Sequence, residues 1–116
     1  MLAAANRMRT AADFSDTTRR GAKASRGCLV VYVRCADDPG DAPPVVGLVV
    51  GKSVGNSVVR HRASRRLRGA LRPLLATLPS GSRVVVRALP GADADPALAA
   101  HLSTSLESAL RKAVGR

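Results

Sequence analysis

Aromatic side chains are almost missing from this 116-residue chain: there is no Trp, and Phe14 and Tyr32 are the only Phe and Tyr. A core must therefore be assembled from Val, Leu and Ala. Any surface for stacking on a nucleobase must come from those two rings or from a partner. Acid is scarce as well. The eight carboxylates are Asp13, Asp16, Asp37, Asp38, Asp41, Asp93, Asp95 and Glu107. They sit mainly in expected loops and show no paired spacing for acid–base hydrolysis. His61 and His101 fall on different expected helices, so no His cluster forms either. Cys28 and Cys35 are the only cysteines and lack metal-ligand spacing. Seven residues apart in an extended segment, they would point to opposite faces, which suits reduced structural thiols. No apolar run approaches the length of a membrane span. The opening MLAAANRMRTAADF lacks the continuous apolar stretch of a signal peptide, and its weak likeness to a mitochondrial presequence is interrupted by Asp13 and Asp16. The expectation is a cytoplasmic protein with no membrane partner.

What the chain has in abundance is positive charge. Nineteen Lys and Arg leave a formal net charge of +11. A small folded domain with that imbalance repels itself, and a polyanion is the usual reason for keeping it, since each neutralised phosphate releases a condensed counterion. The length suits one domain over residues 1–116.

Hydrophobic periodicity orders the rest. Residues 10–20 can form a short helix ending at Gly21, and residues 22–27 read as a basic, flexible stretch. Residues 28–34, CLVVYVR, are rich in β-branched side chains and read as a strand. An acidic, turn-rich loop is expected over 36–44. A second strand, 45–52, is apolar enough for burial on both faces or a place in the sheet centre. From Asn56 the period changes: Val59, Ala63, Leu67, Ala70, Leu71 and Leu74 form one helical stripe, with Asn56 or Ser57 able to cap it. Pro73 predicts a kink or an early stop. A third strand covers 82–89, and Asp95-Pro96 reads as the start of a last helix with Leu98, Leu102, Leu106, Ala109 and Leu110 on its apolar face. The order α-β-β-α-β-α predicts an α/β (α+β) two-layer sandwich, in which a mainly antiparallel sheet of three to four strands is packed with helices.

The segment 51–68, GKSVGNSVVRHRASRRLR, carries the chemistry. Lys52, Arg60, Arg62, Arg65, Arg66 and Arg68 crowd the early turns of a helix, and no Asp or Glu occurs from Val45 to Ala92. Like charges three and four residues apart weaken a helix, and cations near its N-terminus oppose the macrodipole. Bound phosphates would relieve both costs, and the planar fork of Arg suits them. Arg60 falls at the edge of the apolar stripe, where it could lean into a groove between helix and sheet. A solvated basic face is the bland alternative.

This segment closely resembles the RNR signature of bacterial ribonuclease P proteins, roughly K-x-x-G-x-A/S-V-x-R-N-R-x-K-R-x-x-R. Lys52, Gly55, Asn56, Val58, Arg60, Arg62, Arg65 and Arg68 match it; His61 stands where the family usually has Asn and Ser64 where Lys is common. NRMRTAADF is similar to the family's opening, and VVGLVV to the strand before its signature. The resemblance implies an accessory subunit of a ribonucleoprotein endonuclease whose active site lies in RNA, with no obligatory protein partner. Its partners would be ribonuclease P RNA, bound by the signature helix through Lys52, Asn56, Arg60, Arg62, Arg65, Arg66 and Arg68, and precursor tRNA. Mg2+ would be held mainly by the RNA and the substrate. The resemblance also implies a cleft for the single-stranded 5′ leader, at which Phe14 and Tyr32 match aromatic positions; plain core packing is the competing role for both rings. Thr18 stands where a second aromatic is common. Finally, it implies a left-handed β-α-β crossover, against the general right-handed preference.

Two other classes compete. A ribosomal or RNA-chaperone type of RNA-binding protein has the same composition and charge. A helix-turn-helix DNA-binding protein would need a helix, not a strand, before the basic helix.

Overall fold

The computed structural model describes residues 6–8, 10–35, 40 and 42–115. The chain runs α1 (Ala11–Arg20), β1 (Ala22–Arg26), β2 (Leu29–Arg34), β3 (Val45–Val49), α2 (Ser57–Leu71), β4 (Arg83–Ala88) and α3 (Leu98–Val114). The four strands form one sheet in the order β1-β2-β4-β3. β2 pairs antiparallel with β1 and β4, while β3 and β4 are parallel, so α2 is the helix of a β-α-β crossover.

The alternation of the strands gives the sheet two unlike faces. Ala22 and Ala24 of β1, Leu29, Val31 and Val33 of β2, Val84, Val86 and Ala88 of β4, and Val46 of β3 share one face and are buried. α2 closes it with Ala63, Leu67 and Leu71, and α3 with Leu98, Leu102, Leu106 and Ala109. The core is thus the expected Val, Leu and Ala assembly, each large side chain contributing about 1.5–3 kcal/mol on burial. The opposite face carries Lys23, Tyr32, Arg34, Arg83, Val85, Arg87 and Gly47, and α1 covers only part of it.

Charge holds α1 there. Arg34 and Arg83 are direct cross-strand partners, a pairing that like charges disfavour. Asp16 resolves it by pairing with Arg34 and lying 3.8 Å from Arg83, which is also 3.7 Å from Asp13.

Several expectations are corrected in detail. Residues 22–27 contain strand β1, joined to β2 by a tight turn led by Gly27 at φ +54°. Its alternation of small Ala with Lys, Ser and Arg carries a burial pattern but little β-propensity, which hid it. β3 stops at Val49 and lies at the sheet edge rather than its centre. Val46 and Gly47, one on each face, are nonetheless buried, and the N–H of Met8 donates to the Val46 carbonyl at 2.9 Å. α2 ends at Leu71 and continues as a 3-10 turn, Arg72–Thr77, as Pro73 demands. α3 begins at Leu98 rather than at Asp95-Pro96, because Asp95 caps the preceding turn by accepting from the Ala97 N–H at 2.9 Å. Gly21 does follow α1, yet at φ −75°; it is required because a Cβ would lie 2.4 Å from the Thr17 carbonyl oxygen. Most of the expected acidic loop, residues 36–39 and 41, lies outside the described residues.

Candidate nucleic-acid interface

The approach to α2 is built by backbone. After β3, Lys52–Val54 form a single 3-10 turn with Lys52 exposed. Gly55 follows at φ +151°, where a side chain would meet Val59 at 2.8 Å. Asn56 then caps α2, its Oδ1 accepting from the Val59 N–H at 3.0 Å.

Advancing about 100° per residue, the cations of α2 separate into three arcs around the buried stripe. The first flanks β3. Arg60 is half-buried there, and its Nε reaches no solvent and no hydrogen-bond partner among the described residues. Arg68 lies on the same flank and, with Arg7, Met8, Phe14, Val46, Gly47 and Leu48, lines a small cavity of about 180 Å³. The second arc points outward: Ser57, Val58, His61, Arg62 and Arg65 surround a shallow depression of about 500 Å³. Val58 is 64% exposed in it, so apolar surface lies among the charges. The third arc faces the β4–α3 connection. Arg62 pairs with Asp93 at 3.3 Å, and Arg66 donates to the carbonyls of Asp93 (2.9 Å) and Asp95 (2.6 Å), with Ala92 at 3.5 Å.

The two aromatic rings fall on the half-covered sheet face. Phe14 sits on β3 at Gly47, where a Cβ would come within 2.5 Å of its ring. Gly47, Val85 and Tyr32 lie in one cross-strand row, which puts Tyr32 two strand spacings, roughly 10 Å, from that seat. Both rings are half-buried. Each is therefore partly covered and partly open to solvent. Thr18, one turn after Phe14, donates its hydroxyl hydrogen to the Phe14 carbonyl at 3.0 Å.

Sequence reasoning missed three members of this surface. Lys23 pairs with Tyr32 across β1–β2, and Arg87 with Val30 across β2–β4; both are exposed on the same face as the rings. The period of two in the strands carried that signal. Arg7, on the rim of the Phe14 cavity, comes from the N-terminal segment and had none. The Asp95–His101 pair, 2.8 Å apart, also escaped notice. The Ala97 N–H bond and then the His101 bond hold the Asp95 carboxyl below its ordinary value against an opposing effect of desolvation, with a lesser contribution from the nearby Arg66 charge.

Three kinds of likeness to known proteins converge. The Ribonuclease P family model matches residues 2–114. The ribonuclease P protein component of Mycobacterium sp. (strain KMS) is 48% identical over 114 residues, covering 97% of this chain and 93% of the relative. That of Streptomyces griseus subsp. griseus is 49% identical over 122 residues, covering 99% and 97%. The solved RNase P protein of Staphylococcus aureus superposes with a TM-score of 0.69 at 25% identity, over 93% of this chain and 94% of that one. The RNase P protein of Thermotoga maritima shares the fold, with a TM-score of 0.62 at 21% identity over 91% and 96%. With the acid-free arginine helix, the half-open sheet face and a family match that spans almost its whole length, the chain belongs to the ribonuclease P protein family.

Proposed function

We propose that this chain, a protein component of the ribonuclease P ribonucleoprotein, binds the ribonuclease P RNA through α2. It would hold the single-stranded 5′ leader of precursor tRNA against the half-covered sheet face, and so assist Mg2+-dependent endonucleolytic removal of that leader in the cytoplasm. The observation that carries this reading is the state of the signature arginines. Among the described residues Arg60, Arg65 and Arg68 have no ion-pair partner, and α2 contains no acid to provide one. Charges held in this way are available to phosphate, and Arg65 with the exposed Lys52 lies on open surface.

In this reading the division of labour follows from the side chains. Lys52, Arg60, Arg62, Arg65 and Arg68 neutralise RNA phosphates. Asn56 serves first as the cap that starts the helix. Phe14 and Tyr32 offer partly exposed rings to unpaired bases without demanding one sequence, beside the exposed Arg87 and Lys23 for the leader backbone. Among the described residues no three His, Cys, Asp or Glu side chains converge to hold an ion. The Mg2+ that such a hydrolysis calls for would be held mainly by the RNA and the substrate, where it would supply Lewis-acid and water-activating chemistry. The catalytic centre is assigned to the RNA, and the protein binds and positions.

Reconstitution tests the proposal. The purified protein is expected to bind ribonuclease P RNA and to accelerate 5′ cleavage of precursor tRNA at low magnesium, while cleaving nothing alone. A protein that neither binds that RNA nor stimulates cleavage would instead be an RNA-binding protein of the ribosomal or chaperone kind.

A further inference from the structure

Arg66 stands apart from the arginines around it. It falls at a position that the RNR signature leaves open, although the resemblance places it with its neighbours among the RNA-binding residues. It is half-buried, and its guanidinium is turned away from the outward arc of α2. Three carbonyls converge on it: that of Asp95 also accepts from the Leu98 N–H at 3.3 Å, while those of Ala92 and Asp93 accept from no other backbone N–H of the loop among the described residues. That loop has no strand or helix of its own, and unpaired buried carbonyls are costly. A clustered set of carbonyl dipoles is a seat for a cation, and only a rigid fork with several donors can reach the Asp93 and Asp95 oxygens together. One turn earlier Arg62 reaches the same loop through Asp93, yet it stays 56% exposed and open to another anion.

We propose that Arg66 is a positioning residue. Its guanidinium fastens the signature helix to the β4–α3 loop, and thereby sets the angle at which Arg62 and Arg65 meet RNA phosphates, without itself touching RNA. The inference rests on the RNA-binding reading above and adds to it the device that aims the helix.

Salt dependence separates clamp from contact. An arginine that neutralises a phosphate contributes about 0.9 to the slope of log affinity against log salt, whereas a clamp contributes nothing. Binding of ribonuclease P RNA by full-length wild type, Arg66→Met, Arg66→Lys and Arg65→Met should be titrated over a range of salt, below the thermal transition of each variant. Arg66→Met is expected to bind about tenfold more weakly, because the aimed side chains must now be ordered on binding, with an unchanged slope. Arg65→Met should lower the slope by about 0.9. Arg66→Lys keeps the charge but loses the fork, so it should resemble Arg66→Met. A slope that falls in Arg66→Met, a Lys variant that binds as wild type does, or unchanged affinity in folded Arg66→Met would each overturn the clamp. Should Arg66→Met not fold, Arg66→Lys carries the test by the same criteria. Wild type that fails to bind the RNA refutes the functional reading; wild type that binds, beside an Arg66→Met slope lowered by about 0.9, refutes the clamp alone.

Discussion

α2 and α3 lie on the same face of the same sheet and bury the same kinds of residue, yet their outer surfaces are opposites. α3 covers its solvent side with Ala99, Ala100, Ser103, Thr104 and Glu107. Its cations wait until the last turn, where Arg111 pairs with Glu107 at 3.1 Å and both Arg111 and Lys112 complement the helix dipole. α2 places Arg60 and Arg62 in its first two turns, against the dipole, with no acid along its length. Packing cannot be the reason, because α3 packs as well without such charges. The difference teaches that α2 accepts a local electrostatic cost that the fold does not require, and a cost of that kind points to a partner that removes it.

Removing the charges should therefore break the contrast, and this is the largest effect expected. Arg60, Arg62 and Arg65 replaced together by Ala should weaken binding of ribonuclease P RNA by on the order of a hundredfold, and lower the salt slope by roughly two to three. Arg111 and Lys112 replaced together by Ala, at the end of α3, should do far less to either quantity. Filter binding over a salt series checks both. Equal losses from the two helices would mean that net charge alone governs binding and that α2 is not a privileged surface.

The two sheet faces repeat the contrast on a smaller scale. One is sealed by α2 and α3; the other is covered by α1 only in part, where Phe14 meets Gly47 and where Asp13 and Asp16 meet Arg34 and Arg83. Phe14→Ala should reduce affinity for precursor tRNA with a leader about tenfold, in keeping with the loss of one stacked base, and leave affinity for mature tRNA nearly unchanged. Fluorescence anisotropy on the holoenzyme with the two substrates measures the difference. Equal losses on both would make Phe14 a core residue that seats α1 and nothing more.

What the sequence made legible follows physical range. The strand Leu29–Arg34, the stripe of α2 and its stop before Pro73 all rest on strong local periods, and these were readable. β1 was not, because Ala22 and Ala24 are too small to advertise a buried face, and only pairing with β2 reveals it. The arginines were readable as a group but not as individuals. A helical wheel separates Arg66 from Arg65, but only the carbonyls of a loop some thirty residues further along the chain distinguish a clamp from a free cation. Asp95 was read as a helix start because Asp-Pro is a good one. Its actual engagement, with Ala97, His101 and Arg66, depends on where α2 and α3 come to lie.

That junction is where the two helices touch through the same residue, and it yields the smallest of the expected effects. The Asp95 carboxyl is held below its ordinary value, chiefly by the Ala97 N–H and then by His101. An ionised carboxylate offers only acceptors, so His101 Nδ1 must donate to it. A depressed carboxyl stabilises the folded chain above its unfolded pKa, which is about 3.9 for Asp, and that contribution is lost as the pH falls through the lower folded value. Wild type should thus lose stability on acidification from about pH 4 downward more steeply than Asp95→Asn, which has no proton to take up. At the upper end of the series, between about pH 5 and 6, the variant should be the weaker. Urea unfolding from pH 2.5 to 6 reads the difference. Parallel curves below pH 4 would show that the acid sensitivity lies elsewhere. The junction of α2 and α3 would then be indifferent to the charge at its centre.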